Sequence, residues 1–262
     1  MLDQSEFIGK TVFVAGGTSG INLGIAKAFA AAGARVAVFS RSAERVDSAL
    51  ASLRALGGEA MGFTGDVREL SSVQDALSRT HEAWGSIDVL CSGAAGNFVA
   101  PAAVMSSNGF KSVMDIDLLG SFHVLRAAYP FLTKPGASII NISAPQASIA
   151  TPLQAHVCAA KAGVDMLTRV LAMEWGPEGI RVNSIVPGPI DGTEGMARLT
   201  PTAEAREAVI RNLPLRRYGD LNSVAKVAVM LSSSVCDYVT GVVLPVDGGA
   251  SLAGPGLFGP SA

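Results

Sequence analysis

Seven short runs of β-branched and apolar residues, alternating strictly with stretches of helical periodicity, constrain this chain more than any other feature. The runs are Thr11 to Ala15, Arg35 to Ser40, Glu59 to Thr64, Ile87 to Cys91, Ser138 to Ile142, Arg181 to Val186 and Val242 to Val246. Between them apolar residues recur at helical spacing, as in Ile25, Phe29 and Ala32, or Val73, Leu77, Ala83 and Trp84. Such alternation calls for parallel strands joined by right-handed helical crossovers, so the expected fold is α/β, one sheet with helices on both faces. Apolar residues make up 49% of the 262, in keeping with a sheet buried on both sides. No apolar run approaches the roughly 18 uninterrupted residues of a membrane span. With no internal repeat, low-complexity tract or central linker, one domain over residues 1–262 is the economical division. The stretch 191–213 breaks the alternation with polar and small residues and is expected to form a short helical lid over a substrate.

Charge and cysteine usage exclude several classes of function. The formal net charge is −2 with acids and bases interspersed, so the basic stripe of a nucleic-acid binder is missing. Cys91, Cys158 and Cys236 are far apart, odd in number and without metal-ligand or redox spacing. They read as reduced core thiols, and no metal site is expected. The N-terminus is polar and enters a strand within about ten residues, which suggests no signal segment. Gly259, Pro260, Ser261 and Ala262 form neither a peroxisomal address nor a lipidation signal. The expected setting is therefore cytoplasmic.

The first run leads into Gly16-Gly17-Thr18-Ser19-Gly20-Ile21-Asn22, and a helical run follows at once from Leu23 to Ala32. In that context glycines let backbone N–H groups approach a pyrophosphate, whose charge is favoured at a helix N-terminus. The second run ends in Ser40-Arg41-Ser42, where an NAD-specific site would place an acid. An acid there would repel a 2′-phosphate and a guanidinium binds one bidentately, so NADPH is the expected cofactor. Asp66 and Val67 close the third run, where a carboxylate can accept from the adenine amino group. Pro187, Gly188 and Ile190 close the sixth, where rigid backbone can face the nicotinamide amide.

These features in this order resemble the short-chain dehydrogenase/reductase family from Gly9 to Gly249, with support from Ile87-Asp88-Val89-Leu90, Arg181-Val182-Asn183 and Asp247-Gly248-Gly249. The resemblance implies a Rossmann-type doubly wound sheet of seven parallel strands. It also implies a catalytic asparagine, serine, tyrosine and lysine, but those positions here read Asp117, Ala144, Val157 and Lys161. Only the lysine is kept. Carbonyl reduction leaves an alkoxide that needs an acid beside it, and without the tyrosine a ketoreductase is a poor reading. Conjugate reduction of an acyl thioester leaves an enolate, which asks for donors and positive charge instead.

At the altered positions the chain is similar to the 2,4-dienoyl-CoA reductases, above all the peroxisomal type. The similarity rests on Ala94 to Phe98, Val113 to Asp117, His156 five residues before Lys161, Glu174 to Pro177, and Pro187 to Ile190 followed by Gly192-Thr193-Glu194-Gly195. It implies Asp117 and Lys161 as the catalytic pair, Lys161 and Thr193 among the cofactor contacts, and acyl-CoA contacts at Arg41, Arg68, Phe98, Ser106, Ser107, Asn108 and Arg198. The implied reaction is NADPH-dependent reduction of a 2,4-dienoyl-CoA to a 3-enoyl-CoA in unsaturated fatty-acid breakdown. Two alternatives stay open: reduction of another activated alkene or enoyl thioester, and an inactive NADPH-binding subunit. A homotetramer is implied, built through helices at roughly 106–132 and 152–175 and the C-terminal strand. His156 reads equally as structural or catalytic, and Ser143 and Gln146 are candidate donors to the thioester oxygen. The chain departs from the family at Asn22, where the last glycine of the turn is expected. It departs again at Ser92 and Gly93, in place of an asparagine-containing pair. Both departures are expected to loosen the cofactor's support.

Overall fold

The computed structural model of the chain describes residues 4–252. Readings that fall on the first three residues and on the tail from Gly254 to Ala262 lie outside the described residues. The strands are β1 (Thr11–Ala15), β2 (Arg35–Ser40), β3 (Ala60–Thr64), β4 (Val89–Ser92), β5 (Ser138–Ile142), β6 (Arg181–Pro187) and β7 (Val243–Val246). They form one sheet in the order β3-β2-β1-β4-β5-β6-β7, parallel at every pairing. Strand order reverses between β1 and β4, and the crevice outside the carboxyl ends at such a switch point is where ligands bind.

Side-chain alternation along the strands builds two cores. Val12, Val14, Val36 and Val38 face one layer, packed on α1 (Gly20–Ala31) and α9 (Leu221–Ser232). Phe13, Ala15, Ala37 and Phe39 face the other, packed on α3 (Leu70–Trp84), α5 (Gly120–Ala128) and α6 (Ala155–Trp175). The remaining helices are α2 (Ala43–Arg54), α4 (Ser107–Val113), α7 (Glu194–Leu199) and α8 (Ala203–Asn212). All three cysteines are free, and burial pushes the Cys91 thiol up to about 12, which leaves it inert.

Element ends differ from the sequence reading in small ways with local causes. Ile87 makes only an isolated bridge to Leu132, and β4 runs on instead to Ser92, paired with Asn141. Helix α1 starts at Gly20 and takes in Ile21 and Asn22. The long helix expected over 106–132 is interrupted: between α4 and α5 the residues Met114–Leu119 form a π-helical turn. The helix expected from Pro152 begins at Ala155, because Leu153 adopts a left-handed φ of 66° that a helix cannot contain. The stretch 191–213 holds α7 and α8, capped by Thr193 and Thr202. Met196, Val209, Leu213, Tyr218 and Ala250 form a small core of their own there. Arg206 braces the segment by a bidentate pair with Asp191, both contacts at 2.8 Å.

Candidate active site

At the carboxyl end of β1 the glycine turn forms a cradle. Gly16 has a φ of +77°, and a Cβ there would lie 2.9 Å from the backbone of Ala94; one on Gly17 would lie 2.8 Å from the Val14 carbonyl oxygen. Only glycine fits either place. Ser19 precedes α1 without using its side chain as a cap, and the helix's first turn carries no acid. The N–H groups at the start of α1 are therefore unclaimed by side chains, in a field that favours an anion. A cavity of about 200 Å³ opens beside them, lined by Gly16, Thr18, Ser19, Asn22, Phe39, Ser40, Arg41, Arg45, Gly65, Asp66, Val67, Gly93, Ala94, Ala95 and Ile116. Arg41 is exposed at its rim, while Arg45 is drawn to Glu194 at 3.1 Å.

Asp66 is already engaged. Arg68 grips both of its carboxylate oxygens, at 2.6 Å for the closest contact. That hydrogen-bonded guanidinium holds the Asp66 carboxyl below the usual carboxylate range. A residue expected to read adenine and one expected to meet CoA thus form a pair, and ligand contacts there share them. Val67 is buried, and its carbonyl oxygen lies 2.9 Å from His123 Nδ1, a partner the sequence did not reveal.

Asp117 sits in the π-helical turn, 1% exposed, and Lys161 lies two turns into α6, 5% exposed. Their charges meet at 3.3 Å. The Gly96 N–H donates to Asp117 Oδ1 at 2.7 Å, and Lys161 Nζ donates to the Ile142 carbonyl at the end of β5 at 3.1 Å. Neither backbone partner was evident in the sequence, nor was the π turn, a feature common at functional sites. Val157, at the tyrosine position, is buried among Val113, Ala160, Met114 and Leu118. No tyrosine from elsewhere replaces it: Tyr129 donates to Glu178, Tyr218 to Thr200, and Tyr238 is fully exposed.

Of the expected acyl-CoA residues, Phe98, Ser106, Ser107, Asn108 and Arg198 lie on or beside the loop 93–100. Phe98 packs edge-on against His156 with ring centroids 4.3 Å apart. His156 is wholly buried, and neither ring nitrogen meets a hydrogen-bond partner among the described residues. Ser106 caps α4 by accepting from the Gly109 N–H, and Ser107 and Asn108 are exposed on that helix's first turn. Arg198 reaches from α7 to the Asn97 carbonyl at 3.4 Å. Arg41 and Arg68 lie apart from this group, on the cofactor side. Gln146 donates to Gln154 at 3.0 Å and Ser143 is buried. Gly188 follows β6 with its N–H bonded to Val246, and Thr193 donates to the Ile190 carbonyl at 2.8 Å. Pro187 and Ile190 are buried on either side of that turn.

A glycine cradle at the switch point, with a buried lysine on the long α6 tied through Asp117 to the loop that rests on it, defines a nicotinamide-dependent oxidoreductase of Rossmann type, and the chain belongs to the short-chain dehydrogenase/reductase family. The family pattern described as enoyl-(acyl carrier protein) reductase matches residues 15–251. Among curated relatives, the peroxisomal 2,4-dienoyl-CoA reductase ((3E)-enoyl-CoA-producing) of Arabidopsis thaliana is 41% identical, covering 94% of this chain and 86% of the relative. The enzyme of that name from Saccharomyces cerevisiae is 42% identical, covering 93% and 84%. A Bacillus subtilis protein named "Probable 2,4-dienoyl-CoA reductase", (2E)-enoyl-CoA-producing, is 37% identical, covering 93% and 97%. Among solved structures, a short chain dehydrogenase from Bacillus anthracis superposes with a TM-score of 0.82 at 36% identity, covering 92% of this chain and 96% of its own. A dehydrogenase/reductase from Sinorhizobium meliloti gives 0.86 at 31% identity, covering 95% and 98%.

Proposed function

We propose that this protein is an NADPH-dependent reductase of 2,4-dienoyl-CoA thioesters that yields a 3-enoyl-CoA in the breakdown of unsaturated fatty acids. The observation that carries the reading is the buried Asp117–Lys161 pair at 3.3 Å, with valine where a carbonyl reductase needs its tyrosine. The relatives' names agree with it.

Gly16, Gly17, Thr18, Ser19, Gly20 and Ile21 would hold the pyrophosphate, Ser40 and Arg41 the 2′-phosphate, and Asp66 and Val67 the adenine. Pro187, Gly188, Ile190 and Thr193 would border the nicotinamide. Bound there, NADPH supplies the hydride that reduces the distal diene carbon. Lys161 has three N–H protons: one goes to the Ile142 carbonyl, one faces Asp117, and the third is free for a ribose hydroxyl. Its charge would stabilise an enolate as the thioester oxygen gains negative charge, without a proton donor. Asp117, held by Gly96 and Lys161, keeps lone pairs with which to orient a water. That water protonates carbon, and solvent restores its proton. Phe98, Ser106, Ser107, Asn108 and Arg198 border the acyl-CoA path, Arg41 and Arg68 suit its phosphates, and the segment 191–213 acts as the lid.

Mixing the protein with NADPH and a short 2,4-dienoyl-CoA should remove NADPH absorbance. Cofactor binding without turnover would sink the reading. A product with its double bond at carbon 2, as in the Bacillus relative's name, would correct the protonation site.

The assembly we propose is a homotetramer. Leu119, Phe122, Met166, Val170 and Met173 stand exposed on the π turn, α5 and α6, and β7 is an edge strand. Light scattering giving a monomer mass would refute this. A cytoplasmic setting is supported by the three free cysteines. Fractionation of the source cells tests it.

A further inference from the structure

The two departures from the family at the cofactor turn meet in space. A Cβ on Gly93 would lie 2.3 Å from Asn22 Oδ1, 2.5 Å from its Nδ2 and 2.6 Å from its Cγ. The Asn22 amide therefore fills the volume that a side chain at position 93 would take. Its Nδ2 donates to the Gly93 carbonyl at 2.7 Å, which fixes the amide's orientation, since the opposite one would set two acceptors face to face. On its other side the same loop rests on the cradle, where Gly16 leaves room for the Ala94 backbone. Three residues past Gly93, the Gly96 N–H holds Asp117.

We propose that Asn22 is a positioning residue that clamps the loop after β4 between the cofactor turn and the catalytic carboxylate, with Gly93 as its obligate partner. The loop is tied at one end to α1 through Asn22 and at the other to the π turn through Asp117. A shift of the first tie displaces the second. The clamp adds little to the stability of the fold: Asn22 Oδ1 is buried with no partner, and an orphaned acceptor costs about as much as the amide's one good bond contributes. The clamp's effect falls on the geometry of the site. The expectation of looser cofactor support from Asn22 and Gly93 taken singly is thereby replaced by a matched pair. This inference rests on the cofactor reading above, and its test includes readouts that do not depend on the acyl substrate.

The test uses N22A, G93N and the swap N22G/G93N in the full-length protein. Each is assayed by NADPH fluorescence titration, by thermal unfolding without ligand, and by turnover. N22A should unfold within a few degrees of wild type yet weaken NADPH binding and lower kcat by about two- to tenfold, the scale of one net hydrogen bond. G93N should lose far more in every readout, because two amides compete for one volume. The swap should regain at least tenfold in binding over G93N, together with most of the lost unfolding temperature. The proposal is overturned if N22A binds and turns over like wild type. It is equally overturned if the swap unfolds no later than G93N. Failure of all variants and wild type on dienoyl-CoA, with the binding and unfolding pattern intact, would reject the substrate and keep the clamp.

Discussion

The Asp117–Lys161 pair offers the sharpest separation of stability from catalysis. The side chains are 1% and 7% exposed, so removing one charge leaves the other buried without its counterion, at about 3–5 kcal/mol. For a domain of this size each kcal/mol moves the melting temperature by about 2–4 °C. K161M and D117N should therefore each melt about 6–20 °C below wild type. The double variant D117N/K161M buries no net charge, and its amide oxygen still accepts from the Gly96 N–H. It should melt higher than either single variant, since a neutral replacement of a buried pair is often without cost. All three should lack measurable reduction of dienoyl-CoA. Thermal unfolding by circular dichroism and NADPH oxidation at 340 nm, on the same samples, read both quantities. A double variant whose loss equals the two single losses added together would show that the charges are not coupled. Wild-type turnover in any of the three would remove the pair from the mechanism.

Other substitutions probe separate parts of the site. R41A should raise the KM for NADPH about ten- to hundredfold, the loss of a charge-assisted contact, and leave that for NADH unchanged; equal effects on both would refute 2′-phosphate recognition. Burial pushes the Asp165 carboxyl above its usual 3.8, with the Ser184 hydroxyl 3.2 Å away offsetting part of the rise. The fold then holds this proton more tightly than the unfolded chain does, so Asp165 lowers stability as pH rises from about 4 through its folded value. D165N should melt higher than wild type at pH 7 and equally below pH 3.8, and a variant that melts lower at pH 7 would reverse the sign. H156L removes two buried nitrogens without partners and should melt at or above the wild-type temperature; a loss of several degrees would mean that the imidazole is hydrogen-bonded.

Much of the fold was legible because a sheet buried on both faces writes itself into the chain as unbroken apolar runs, and crossovers write a helical period between them. The cradle was legible for a local reason too: positive φ and close backbone approach leave glycine as the residue at Gly16. The missing tyrosine could be read once the family resemblance supplied the spacing to count back from Lys161. Tertiary structure alone decided how distant segments meet. Spacing could not show that Gly96 and Ile142 supply the backbone partners of Asp117 and Lys161, because those bonds join four separate elements. Nor could it show the π turn that carries Asp117 or the left-handed Leu153 that delays α6. Arg68, which the resemblance assigned to acyl-CoA, is paired with Asp66. Asn22 and Gly93 looked like two separate weaknesses in the cofactor site. They are complementary in shape, and such complementarity exists only once β4 and α1 stand side by side.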